Sequence, residues 1–100
     1  MYLYFYMALS VVLSKAPAPH KYKEVIDGKK TVRFGAQGYN DYTMTGDDKA
    51  KRAYIARHKV TEDWSDHKTS GFWAKHLLWN KPTLQSSIKD VERRFNMDIK

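Results

Sequence analysis

The sequence predicts an α+β fold, with a small antiparallel β-sheet followed by three short α-helices packed on one face. Three observations carry this reading. Asp27-Gly28 sits between two short apolar runs, as a hairpin turn does. Leu84, Ile88, Val91 and Phe95 fall on one stripe at helical period. The stretch Arg57–Trp79 holds all three tryptophans and three of the four histidines, so it is expected to be the hub of the core.

One hundred residues make one domain, 1–100. Residues 1–20 are read as an apolar strand or arm with a Pro-Ala connector, 21–46 as a hairpin and loop, and 47–95 as the helical part. The apolar fraction of 42% supports a modest core rather than intrinsic disorder. With no cysteine, disulfide staples and thiolate metal sites are excluded. The formal charge of +7 favours acidic partners: nucleic acid, an anionic membrane or an acidic protein surface. The surplus is spread along the chain, three in residues 1–45 and four in 46–100, so there is no basic tail.

The opening MYLYFYMALSVVL is apolar for about thirteen residues, short of the roughly 20 needed to span a bilayer. It carries no positive charge before Lys15, unlike a secretory signal. Three readings fit it: a strand beginning near Ala8, a short anchor against a membrane or neighbouring protein, or a native start at Met7. Pro17 and Pro19 make Ser14–His20 a connector. Strands are expected at about 21–26 and 30–34, joined by a type I′ turn at Asp27-Gly28. With the run near 8–13 they make a three-stranded sheet, because a lone hairpin is marginal in water.

Residues 36–46 read as a loop with a short extended piece at Tyr42–Met44, pinned to the sheet by Tyr39 and Tyr42. Its glycine spacing matches no phosphate-binding pattern. The first helix is expected over 47–58, with Thr45 and Asp48 as a capping box. Asp47 and Asp48 stand four residues before Lys51 and Arg52, the favourable order for ion pairs. Ala50, Ala53, Tyr54 and Arg57 share a face, with Tyr54 as its packing anchor. Trp64 interrupts a polar loop and is expected to plug back into the core or into a partner. Thr69-Ser70-Gly71 opens a helix, FWAKHLLW, that is apolar on nearly every side. Such a helix either runs through the centre or leaves one face for another chain. Thr83 is a good N-cap for the last helix.

No catalytic, metal or cofactor set stands out. His58, His67 and His76 recur at nine-residue spacing, too far apart for a local zinc motif. Glu62, Asp63 and Asp66 read as turn-capping acids, and Ser86 and Ser87 have no suggestively spaced histidine. Lys49, Lys51, Arg52 and Arg57 share a helix with Tyr54, a weak nucleic-acid signal partly neutralised by Asp47 and Asp48. The alternative is a protein interface anchored by Trp64, Trp73, Trp79, Arg57 and Tyr54, the residue types that dominate binding energy.

Three strings, RFGAQGYNDYT (33–43), YIARHKVTEDW (54–64) and TSGFWAKHLLWNKPTLQSSIKDVERRF (69–95), lie in the span Val32–Phe95, about two thirds of the chain. They resemble a small family of proteins of nucleocytoplasmic large DNA viruses, including chlorella viruses and mimivirus relatives. The resemblance implies a non-enzymatic virion component, a minor capsid protein that bridges other capsid proteins. Its partners would be major and minor capsid proteins, with peripheral contact to an internal viral membrane. The family carries no catalytic motif to transfer. The competing expectation is a basic nucleic-acid-binding viral protein.

Overall fold

The computed structural model describes residues 8–100; Met1–Met7 lie outside them, and with them the readings of an apolar anchor and of a start at Met7. The fold is α+β, as the sequence predicts. Its sheet has four strands in the order β3-β2-β1-β4: β1 (Leu9–Lys15), β2 (Tyr22–Ile26), β3 (Lys30–Phe34) and β4 (Met97–Ile99). The pairs β1–β2 and β2–β3 are antiparallel, whereas β4 runs parallel to β1. The helices are α1 (Tyr42–Thr45), α2 (Asp48–His58), α3 (Ser70–Trp73), which continues into a π-helical turn (Ala74–Leu78), and α4 (Leu84–Phe95).

The hairpin forms at Asp27-Gly28, where both residues have positive φ (50° and 69°). The Lys29 amide donates to the Ile26 carbonyl, yet the register pairs Ile26 with Lys30. Three residues therefore separate the paired positions. Asp27 also binds the next strand: its carboxylate accepts the Ser10 amide (3.0 Å), and its own amide donates to the Ser10 carbonyl.

Alternation along the strands sends Val11, Ile26, Val32 and Phe34 into the core. Ser10, Val12, Ser14, Thr31 and Arg33 stay exposed on the other side. The core is completed by Phe72, Trp73, Leu77, Leu78 and Val91, so the apolar FWAKHLLW segment runs through the centre. Aromatic contacts link it to both neighbours: Phe34–Trp73 at 6.4 Å toward the sheet and Phe72–Phe95 at 5.0 Å toward α4. The segment is not a plain α-helix. The Trp79 amide donates to the Ala74 carbonyl, five residues back, which widens the last turn.

The α4 stripe faces the core as expected. Val91 is fully buried, Leu84, Ile88 and Phe95 pack against the core, and Lys89 and Arg93 are exposed. Thr83 is its N-cap, accepting the Ser86 amide.

Four local expectations are corrected. Tyr42–Met44 is not extended but begins α1, because the Asp41 side chain accepts the Thr43 amide and caps a helical turn. Tyr42 is buried, while Tyr39 is 71% exposed and pins nothing. The cap of α2 is Asp47, which accepts the Lys49 and Ala50 amides, and Thr45 only receives the Asp47 amide. The ion pairs expected within α2 do not form. The Asp48 carboxylate accepts the Tyr42 hydroxyl, and the Lys51 ammonium donates to the Asn80 carbonyl. Strand β4 is an element beyond the predicted sheet. Its edge is blunted by Glu92, whose carboxylate accepts the Ile99 amide (3.0 Å).

Candidate functional site

Where β3 ends, the chain crosses the helical layer and leaves an open cleft of about 500 Å³. Gly35 makes this crossing tight: a Cβ there would come within 2.9 Å of Leu78 Cδ1 and 3.1 Å of Lys21 Cβ. It is lined by Tyr54, Arg57 and His58 of α2 and by Ala36, Tyr39, Asn40 and Asp41. Gly71, Ala74, Leu78 and Trp79 line the remainder. Small and apolar side chains thus form much of the surface, and polar groups sit among them.

The aromatic centre is a stack. The Tyr54 and Trp79 rings lie 4.6 Å apart and only 7° from parallel, and the His58 ring stacks on Tyr54 at 4.2 Å. Tyr54 is buried, and its phenol is pushed up to about 12. Burial is the main cause, Glu62 adds to it and Arg57 opposes it. It therefore stays a neutral hydroxyl under ordinary conditions.

Two charge pairs frame the stack. The Lys21 ammonium donates to Asp41 Oδ2 at 2.5 Å, with both side chains largely buried. The His58 Nδ1–H donates to Glu62 Oε2 at 2.9 Å. Arg57, by contrast, makes no ion pair among the described residues. The cleft therefore offers stacked rings, apolar walls and one guanidinium with its charge unspent.

Of the five anchors read from the sequence, Tyr54, Arg57 and Trp79 meet here. Trp73 and Trp64 do not. Trp73 is wholly buried, and its indole N–H donates to the His67 carbonyl (2.7 Å), so its surface is spent on this chain's own core. Trp64 is half-buried away from the cleft, with the Lys75 ammonium 5.2 Å above its ring. Its carbonyl accepts the Nε2–H of His76 at 2.9 Å. His76 itself packs between Phe72 and Phe95, and burial drops it to about 4, so it is a neutral core residue. Among the described residues, no group of three His, Asp or Glu could hold a metal ion. No helix among them is long and apolar enough to cross a membrane.

Sequence reasoning passed over Lys21 and Asp41, and it read Glu62 as a turn-capping acid, not as the partner of His58. Asp41 was visible in principle, since Asp is a favoured N-cap residue. Lys21 had no local signal, because its partner lies twenty residues on.

The geometry defines a class, a small α+β protein with an open aromatic cleft and an unpaired cation in its wall. Residues 10–58 are similar to a family of unknown function, DUF5754. That span runs from β1 through α2 and includes Lys21, Gly35, Asp41, Tyr54 and Arg57, but ends before Glu62 and Trp79. No curated protein and no solved structure matches the chain.

Proposed function

We propose that this is a non-catalytic binding protein that docks a segment of another protein in the Tyr54–Trp79 cleft. The observation that carries the reading is the near-parallel stack of those two rings beside the unpaired guanidinium of Arg57. Tyr, Trp and Arg are the residue types that anchor protein interfaces. An apolar cleft with a few placed polar groups is the usual form of a recognition site. The biological setting comes from the resemblance of the strings between residues 33 and 95. On that ground the protein is a minor capsid protein that bridges other capsid proteins of a large icosahedral DNA virus, and it resides in the virion shell.

The test places a photo-cross-linking amino acid at Tyr39, on the exposed rim of the cleft, and purifies virions carrying it. Cross-links to a capsid protein, and retention in shells stripped of genome, are the expected results. Absence from virions, or complete departure with the genome, would turn the reading toward a basic nucleic-acid-binding viral protein.

A further inference from the structure

A different surface gathers charge without a cavity. On α4, Asp90 is 7% exposed and accepts three donors: Asn80 Nδ2 (2.8 Å), Arg93 (2.6 Å) and Arg94 (3.0 Å). Burial alone would raise its carboxyl, but Asn80 and the two arginines outweigh that and hold it below the ordinary range. Asp90 therefore remains a single negative charge. From α2, the Lys51 ammonium reaches the Asn80 carbonyl at 2.6 Å and so arrives at the same place.

Lys75 joins from the π-helical turn. Its pKa is lowered, first by burial and then by the positive charges of Arg94 and Lys51. Lys89 stands one turn before Arg93 on the exposed side of α4. The second acid of α4, Glu92, is engaged with the Ile99 amide. Among the described residues, Lys51, Lys75 and Lys89 form no ion pair. Lys51, Lys75, Arg93 and Arg94, from three elements, thus gather around one carboxylate, with Lys89 exposed one turn before Arg93 on the same helix. Like charges held together repel, and an arriving anion relieves that repulsion.

We infer that Lys51, Lys75, Lys89, Arg93 and Arg94 form a second recognition surface, one that binds the phosphate backbone of nucleic acid. None of the five lines any of the three main clefts among the described residues, so none of these clefts encloses a small anion at this surface. An extended polyanion, by contrast, can touch all of them at once. The guanidinium forks of Arg93 and Arg94 suit phosphate oxygens. None of the five lines the Tyr54–Trp79 cleft, so the inference stands apart from the protein-docking reading.

The test is fluorescence anisotropy of the full chain with a labelled single-stranded oligonucleotide, from 50 to 200 mM salt. Five phosphate contacts predict that affinity falls by about 100-fold over that range. In Lys75→Gln/Lys89→Gln/Arg93→Gln the log–log salt slope should shrink by about 2, and affinity at low salt should drop at least tenfold. Lys15→Gln/Lys29→Gln/Lys30→Gln removes the same charge from exposed strand and turn positions and should stay within about threefold of the parent. The charge-preserving Lys89→Arg/Arg93→Lys should bind like the parent. Three results would each overturn the inference. They are no binding at 50 mM salt, equal loss in the two triple variants, or equally tight binding of a labelled poly-glutamate.

Discussion

The carboxylate of Glu62 occupies the space in which a side chain on Gly71 would stand. A Cβ built on Gly71 would lie 1.5 Å from Glu62 Oε1, while Oε2 accepts the Nδ1–H of His58. One side chain thereby joins the last residue of α2 to the first turn of α3. A carboxylate is suited to that turn, where the helix presents its positive end. Both helices line the cleft, so Glu62 helps to set its width.

Substituting Gly71 tests this directly. Gly71→Ala forces the Glu62 carboxylate outward and breaks its bond to His58, which offsets the higher helix propensity of Ala, worth up to about 1 kcal/mol. Stability of Gly71→Ala should therefore be unchanged or lower. In a Glu62→Ala background the same change should stabilise by some tenths to about 1 kcal/mol. Urea denaturation of the four proteins reads this change of sign. Identical effects of Gly71→Ala in both backgrounds would mean that Glu62 does not fill the site.

Glu24 makes the protein's stability depend on pH. It sits fully buried in the inner strand β2, and neither carboxylate oxygen has a hydrogen-bond partner among the described residues. Burial raises its pKa from 4.5 to about 8. Between those values the folded protein keeps a proton that the unfolded chain has released. Stability should therefore fall as pH rises through this window, at up to about 1.4 kcal/mol per unit, and level off above it. Glu24→Gln should remove that slope, and above pH 8 it should be more stable than the parent. Denaturation midpoints at pH 5, 7 and 9 measure it. A parent and a Gln variant with parallel pH profiles would show that Glu24 does not titrate as argued.

The parts of the fold legible in the sequence are those decided by neighbours in the chain. Asp27-Gly28 announces a turn because two adjacent residues must take positive φ. The α4 stripe announces its buried side by spacing alone. Strand β4 announces nothing: Met97–Ile99 is three residues long, and it exists because β1, nearly ninety residues earlier, leaves an edge to pair with. The π-helical turn is equally silent, being set by how Trp73, Leu77 and Leu78 pack at the centre. The cleft follows the same division. Tyr54, Arg57 and Trp79 could be named from residue type, but type could not separate Trp79 in the cleft from Trp73 in the core. The Lys21–Asp41 pair depends on the crossing after β3, which only the assembled fold creates.

At the hairpin, Gly28→Val isolates a backbone cost. Among the described residues, no atom beyond its chain neighbours lies within 4 Å of a Cβ placed on Gly28, so no clash contributes. What remains is the strain of a β-branched residue at φ 69°, on the order of 1–3 kcal/mol. Gly28→Asn, which tolerates this region, should lose clearly less. Thermal unfolding of both variants checks the order. Equal losses would mean that the turn relaxes to another conformation.

The two tryptophans that sequence could not tell apart separate fold from function. Trp73 is wholly buried, and Trp73→Ala should cost about 3–5 kcal/mol. The gentler Trp73→Phe mainly loses the hydrogen bond to His67, about 1 kcal/mol, and leaves the cleft lining intact. Trp79 is half-buried, and Trp79→Ala gives up its stack on Tyr54, about 0.5–1.5 kcal/mol beyond the lost area. If the cleft docks a capsid protein, Trp79→Ala should abolish incorporation into virions while the purified chain still folds. Trp73→Phe should be incorporated normally. The measurement is the amount of each variant in purified virions, set against its unfolding midpoint. If incorporation follows the midpoint in both variants, stability and not the Tyr54–Trp79 surface governs assembly, and the docking proposal is wrong.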